Sequence, residues 1–274
     1  MILAVGVLVL GWQGVDWAAQ SYRIAEVRHY GLVIWDSGWY GGSYPLGYSV
    51  LVPVLGALAG MAVVAVVAAG VAATAFDRLV TDVRGFRPWG SWLFAISTSL
   101  EVAIGQLPYL CGEAAGLVAV VALARRRGGV AVAFALVAAL CSPLAGAFLA
   151  LACGAAWLAR YGDRRHLVGV AGVCAVVILA LALLFPGVGP FPFPWTGLLL
   201  TFAVCAALLF VSGPAGPLIR WAAVGYALAC LASFVVANPL GGNAPRLAAE
   251  IGVPLLACLP HRSPRSVAHW LGRH

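Results

Sequence analysis

Apolar runs of membrane-spanning length alternate with short connections along this chain, and the alternation limits the folds open to it. The chain is 63% hydrophobic and only 9% charged, whereas soluble domains carry roughly a quarter charged residues. One soluble core cannot hide this much apolar surface, so lipid must solvate much of it. The composition therefore predicts an all-α, polytopic transmembrane helical bundle.

The apolar runs divide the chain into about ten candidate passes, because a spanning helix needs roughly 17–25 apolar residues. The first run is short. The break at Ser142-Pro143 leaves open two short helices or one kinked excursion. We predict a helical membrane module over residues 1–260 and a basic tail over residues 261–274. The passes are 1–12, 48–76, 89–106, 110–124, 129–141, 144–159, 166–186, 195–213, 218–238 and 246–260.

Arginine marks alternate connections between these passes. All 16 basic residues are Arg. Most of them lie in Asp77–Pro88, Arg125–Arg127, Arg160–His166, around Arg220 and in the tail from His261. Positive residues mark the cytoplasmic side of a membrane, which predicts a multi-pass cell-membrane protein with both termini in the cytoplasm. The same distribution explains the net charge of +7 without a nucleic-acid partner.

The topology places the polar loop at residues 14–48 outside the membrane. Its first half, Asp16 to His29, is predicted to be a helix lying along the membrane, with Asp16, Gln20 and Arg23 on one face. Asp16 fits a helix cap as well as a catalytic role. For the arginines, snorkelling or a pair with Glu26 is the alternative. Further polar candidates in the loop are Arg28, His29, Asp36 and Tyr44.

Three glutamates lie at predicted membrane depth, and all are in the outer half of their segments. They are Glu101, Glu113 and Glu250. Their asymmetry predicts one polar cavity open to the outside, whereas a transporter with two gates needs polar groups in both halves. Glu101 and Glu113 are expected to pair with Arg or to share a proton. Arg246 and Glu250 are four residues apart, which predicts an intrahelical ion pair.

Other chemical signatures are missing from the sequence. The seven cysteines are scattered without CxxC spacing and are expected to be small apolar side chains within helices. There is no Gly-rich phosphate loop and no HExxH. We therefore predict no metal ligand and no cofactor, and we leave a divalent ion open, since the sequence gives no support for one.

The order of features in the first loop resembles that of the GT-C superfamily of membrane glycosyltransferases. In that family an outer loop after the first helix opens with an acidic residue and continues into a degenerate aromatic and glycine pattern. Here the acidic residue is Asp16, and the segment Asn238–Leu247 is similar to a late outer motif of actinobacterial members. The matching pattern is Gly31, Trp35-Asp36, Trp39, Gly41-Gly42, Tyr44-Pro45, Tyr48 and Pro53.

The resemblance implies transfer of a sugar from a polyprenyl-phosphate carrier in the membrane to a glycan or lipid acceptor outside. It implies Asp16 as the base, Arg246 as the phosphate contact with Arg28 as its substitute, and Glu101 or Glu113 orienting hydroxyls. The remaining expected substrate contacts are Gln20, Arg23, His29, Asp36, Tyr44 and Asn243. Donors with one phosphate usually go with metal-free members.

Three alternatives to an active transferase stay open at this point. Family members are generally longer, so the resemblance implies a compact, truncated or inactive member. A transporter or flippase for a lipid-linked intermediate is the second alternative. A non-catalytic membrane scaffold is the third.

Overall fold

The computed structural model describes residues 1–82, 87–187, 189–211 and 216–259. These residues are all-helical, with no strand among them and one isolated bridge between Asp36 and Ser43. The predicted basic tail, residues 261–274, lies outside the described residues. The all-α class is confirmed.

The described residues form twelve α-helices. They are α1 Ile2–Val9, α2 Asp16–Tyr30, α3 Leu51–Ala59, α4 Met61–Thr81, α5 Trp89–Ile104, α6 Leu107–Ala124, α7 Gly128–Cys141, α8 Pro143–Leu158, α9 Arg164–Leu184, α10 Trp195–Val211, α11 Gly216–Val235 and α12 Val253–Cys258. Short 3-10 turns cover Pro45–Gly47 and Gly241–Asn243, and a π-helical turn covers Ala248–Gly252.

Four helices in the described part of the chain are long and apolar enough to cross a membrane: α4, α6, α9 and α11. Three shorter apolar helices, α7, α8 and α10, accompany them. Large apolar side chains such as Val176, Leu183 and Phe210 are exposed on α9 and α10, as lipid-facing residues are. These helices indicate a membrane protein, but they do not confirm ten passes.

Two predicted passes differ from the observed helices. The run 48–76 is not one helix, because Gly60 has φ 87° and ψ 142° and separates α3 from α4. Glycine adopts that backbone conformation without steric cost. The last run, 246–260, consists of the π turn and the short α12. The sequence left open whether the break at Ser142-Pro143 separates two helices. The Ser142 side chain accepts from Ala145 N and caps α8, so α7 and α8 are two helices.

Small residues let the central helices approach closely. Buried alanines on α6 and α7 pack in one cluster with α8 and α9, as expected where lipid provides no hydrophobic drive for helix association. They are Ala115, Ala119, Ala122, Ala131, Ala135 and Ala138. Phe76 of α4 stacks on Phe94 of α5, with ring centroids 4.3 Å apart.

The connections gather at two ends of the bundle, as their arginine content predicted. We call one end the low-arginine end; it holds residues 14–50, 105–106, 141–142, 185–187, 189–194 and 236–245. Val50 N donates to Leu140 O at 2.9 Å, and Phe191 N donates to Asn238 O at 3.0 Å. At the other end, Arg87 N donates to Cys258 O at 2.7 Å. The bundle therefore separates the polar first loop from the arginine clusters.

Two glycines one turn apart on α6 test this packing. A β-carbon on Gly112 would lie 2.7 Å from Ala145 Cβ, whereas Gly116 has no such atom within 4 Å. We expect Gly112→Ala to lower the free energy of unfolding by about 1–3 kcal/mol. Gly116→Ala should raise it by about 0.5–1 kcal/mol through helix propensity. Unfolding in detergent measures both, and equal effects would contradict the close α6–α8 contact.

Candidate functional site

The start of α2 is docked against the end of α5. Gly14 N donates to Ala103 O at 2.8 Å, and the Trp17 indole donates to Val102 O at 2.8 Å. Gly105 has φ 93°, and a β-carbon there would lie 2.6 Å from Trp17 N. Asp16, between these contacts, is therefore fixed beside the helix that carries Glu101.

Asp16 and Arg246 face a common environment at the low-arginine end. Partial burial raises the pKa of the Asp16 carboxyl above its ordinary value of 3.8, and the Arg246 charge opposes the rise. Burial also raises the pKa of the Tyr48 hydroxyl, on which the charges of Arg246 and Asp16 both act. These three groups come from separate stretches of sequence and form one electrostatic neighbourhood.

Hydrogen bonds fix the segment that carries Arg246. The buried Tyr226 hydroxyl donates to Ala244 O at 2.6 Å and accepts from Ala248 N at 3.1 Å, so it binds the chain on both sides of Arg246. The Asn238 side-chain oxygen accepts from Gly241 N at 3.0 Å. Arg246 Cζ lies 5.4 Å from the centroid of the Tyr109 ring. Asn243, a predicted substrate contact, ends the 3-10 turn before it.

The three glutamates come together, although they lie on three different elements. Glu101 is near the end of α5, Glu113 is within α6, and Glu250 is in the π turn. Each offers a carboxylate oxygen within 4.8 Å of the others. Glu101 and Glu113 are only 2% and 5% exposed. We call this group the glutamate cluster.

The predicted ion pair between Arg246 and Glu250 is not formed. Within the described residues the only ion pair is His166 with Asp163, at 3.9 Å. The i, i+4 spacing predicts a pair on a regular α-helix, but the π turn at Ala248–Gly252 changes the direction of Glu250. Glu250 lies with the other two glutamates instead.

Arg23 was predicted to contact substrate, but in the structure its side chain is buried within the protein. It is 3% exposed, and its Nη2 donates to Pro45 O at 2.8 Å and to Ser49 O at 2.6 Å. Its Cζ lies 5.2 Å from the Trp39 ring and 5.3 Å from the Tyr48 ring. Burial lowers the pKa of Arg23 to about 10. These contacts attach the first loop to α2.

Other predicted contacts of the first loop also stabilise its shape. Arg28 donates to Gly56 O and Ala57 O at 3.3 Å, at the end of α3. Asp36 accepts from Tyr22 Oη at 3.1 Å and from Gly38 N at 2.8 Å. His29 is exposed on α2. Tyr44 packs edge-on against Trp35, and Gln20 is buried.

A pocket of about 20 Å³ lies between α2 and the loop. Arg23, Glu26 and Asp36 line it, and Asp16, Arg246 and the glutamate cluster do not. It is therefore not the outward cavity that the sequence predicted. Tyr109 and Tyr226 were not predicted as site residues, because nothing in their local sequence reveals the distant segments they contact.

The fold and site together define an all-helical membrane-type protein with ionisable groups gathered at one end of the bundle. No protein-family model matches the chain, and searches of curated proteins and of solved structures found no match.

The environment of Asp16 predicts that Asp16→Asn stabilises the protein near neutral pH. A carboxyl whose pKa is raised on folding contributes stability at low pH and loses it as the pH rises through the folded-state pKa. The thermal midpoint of Asp16→Asn should exceed that of the unmodified chain by about 1–2 °C near pH 7. The difference should vanish below the ordinary pKa of 3.8.

Asp163→Asn is the matched control with the opposite sign. Asp163 accepts from Arg165 N at 2.8 Å, and this bond lowers its pKa. Its stabilising contribution is therefore present at neutral pH and lost in acid. A midpoint for Asp16→Asn below that of the unmodified chain at neutral pH would contradict the burial of Asp16.

The contacts of Arg23 predict that Arg23→Met loosens the first loop. The change leaves two buried carbonyls, Pro45 O and Ser49 O, without this donor, at a cost of about 1–3 kcal/mol. Chymotrypsin should then cleave the aromatic segment 35–48 faster. Arg28→Met, at an exposed position with longer hydrogen bonds, should change the cleavage rate much less. Equal cleavage of both variants would contradict the role of Arg23 in holding the first loop on α2.

Proposed function

We propose that this protein is a membrane glycosyltransferase that moves a sugar from a polyprenyl-phosphate carrier to an acceptor at the outer face of the cell membrane. One observation carries the proposal: Asp16 and Arg246, 230 positions apart, act on each other at the low-arginine end. A carboxylate and a guanidinium at the same end of the bundle would supply the base and the phosphate contact that such a transfer needs.

In the proposed reaction one bond to the anomeric carbon forms and one breaks. The acceptor hydroxyl oxygen attacks the anomeric carbon of the sugar and forms the new glycosidic bond. The bond between that carbon and the phosphate oxygen breaks, and polyprenyl phosphate leaves with the electron pair. Asp16 takes the hydroxyl proton. Its raised pKa suits a base, because proton transfer is most efficient when the base pKa approaches the working pH.

Two hydrogen-bond donors, the cationic Arg246 guanidinium and the neutral Tyr48 hydroxyl, are proposed to hold the departing phosphate. The Arg246 guanidinium offers paired N–H groups that match phosphate oxygens. The Tyr48 hydroxyl keeps its proton because burial raises its pKa, so it remains a donor at neutral pH. The placement of the arginine clusters at the opposite end supports an outward-facing site.

The glutamate cluster favours a second candidate, a transporter or flippase for a lipid-linked intermediate. Carboxylates buried among apolar helices occur in the ion and proton pathways of transporters. Under this candidate, Glu113 in the centre of the bundle matters for movement of the substrate. Asp16 then has no catalytic role.

Reconstituted protein with radiolabelled polyprenyl-phosphate sugars and a panel of acceptors tests the proposal. We expect labelled product and released polyprenyl phosphate, with the rate at least about 100-fold lower in Asp16→Asn, because a positioned base contributes that much. Asp163→Asn, at the arginine-rich end, should retain full activity. Full activity in Asp16→Asn would exclude the base. Movement of intact donor across the vesicle membrane without transfer would favour the transporter.

A further inference from the structure

The glutamate cluster has more acceptor atoms than the surrounding chain can satisfy. Both carboxylate oxygens of Glu101, both of Glu113, and Oε2 of Glu250 are buried without a hydrogen-bond partner outside the cluster among the described residues. Buried polar atoms without partners are rare and costly in proteins. They occur here on three elements that converge, so the three carboxyl groups face one another rather than separate polar surroundings.

The charge of the cluster is also incompletely balanced. If all three carboxyl groups ionise, the cluster carries three negative charges, and Arg246 is the cation whose charge acts on Glu101 and Glu250. Arg246 forms no direct ion pair with them within the described residues. One arginine would then leave two negative charges without a counter-charge, and one divalent cation would balance them. A proton shared by two carboxyl groups would leave the third glutamate unpartnered.

The geometry accommodates a single ion. Two oxygens bound to the same ion lie at most twice the metal–oxygen distance apart, roughly 4.0–5.2 Å from Mg²⁺ to Ca²⁺. The three carboxylate oxygens lie within 4.8 Å of one another. Carboxylate oxygens alone are the ligand set of hard cations such as Mg²⁺, Mn²⁺ and Ca²⁺, rather than of zinc or copper.

The backbone at Glu250 is a further sign of a built site. The π turn Ala248–Gly252 is anchored at Ala248 N by the Tyr226 hydroxyl, and π turns occur frequently at functional sites. Gly252 lies so close to Val204 of α10 that a β-carbon would be 2.8 Å from its Cγ1. The turn that directs Glu250 to the cluster is therefore held on both sides.

We propose that Glu101, Glu113 and Glu250 form a binding site for one hard divalent cation. Each glutamate contributes at least one carboxylate oxygen, and the ion joins α5, α6 and the π turn. The site differs from the sequence prediction of no metal ligand. It does not depend on the transferase proposal, because binding requires neither the sugar donor nor Asp16.

Mn²⁺ binding to the purified, tag-free full chain in lipid nanodiscs tests the site. Electron paramagnetic resonance measures the free ion, and Ca²⁺ and Mg²⁺ serve as competitors. We expect one saturable Mn²⁺ per chain, displaced by the competitors. Glu101→Gln and Glu113→Gln should each weaken binding at least about tenfold. Glu26→Gln, the same chemical change beside the small pocket on α2, should bind Mn²⁺ like the unmodified chain.

Thermal unfolding supplies a second readout that separates binding from folding. Mn²⁺ should raise the midpoint of the unmodified chain and of Glu26→Gln, because a ligand that binds only the folded state stabilises it. With EDTA, Glu113→Gln should be at least as stable as the unmodified chain, since it removes a carboxyl group that is buried without a hydrogen-bond partner among the described residues. Glu250→Gln serves if Glu113→Gln does not fold.

Two results would overturn the cation site. One is the absence of saturable Mn²⁺ binding to the unmodified chain. The other is equal Mn²⁺ binding by the unmodified chain and the cluster variants. Saturable binding without any sugar transfer would leave the cation site in place and remove the transferase, so the two proposals fail separately.

Discussion

The backbone contact between the start of α2 and the end of α5 is the interaction on which the rest of the site depends. Gly14 and Trp17 bind the carbonyls of Ala103 and Val102, the last groups of a helix that otherwise have no partner. Because Gly105 leaves no room for a β-carbon, the two backbones meet directly. The contact fixes Asp16 relative to Glu101 through rigid elements, and it places the first loop over the end of the bundle.

Charged groups in this apolar chain follow two different arrangements. Arg23 is buried, and its Nη2 donates to two carbonyls while two aromatic rings lie near its charge, although its Nε and Nη1 have no hydrogen-bond partner among the described residues. Glu101 and Glu113 are similarly buried, and their carboxylate oxygens accept no hydrogen bond from a donor outside the cluster among the described residues. Burying a charge is tolerated where partners are supplied. The contrast distinguishes the loop, where backbone carbonyls accept from the buried guanidinium, from the cluster, for which we propose an additional positive species.

The sequence predicted the helical class, the loop helix and the gathering of alternate connections at two ends, because hydrophobic runs and arginine positions record them directly. It did not predict the break at Gly60, since the run is apolar on both sides of the residue where the helix is interrupted. It also misassigned Glu250. Local spacing assumes a regular α-helix, whereas the π turn depends on Tyr226 and Gly252, which pack against it from distant segments.

Arg246 connects the two halves of the site, because its charge acts on Asp16 on one side and on Glu101 and Glu250 on the other. Ionised carboxylates in the glutamate cluster would attract the guanidinium, as the Asp16 carboxylate does. A divalent cation bound there would offset that attraction and leave Arg246 available to an anion beside Asp16. Cation binding and phosphate binding would then favour each other. The bound cation would offset the carboxylates that repel the phosphate, and the bound phosphate would offset the Arg246 charge that repels the cation. Arg246, whose charge acts on both Asp16 and the glutamate cluster, is thus the physical basis for coupling phosphate binding to cation binding.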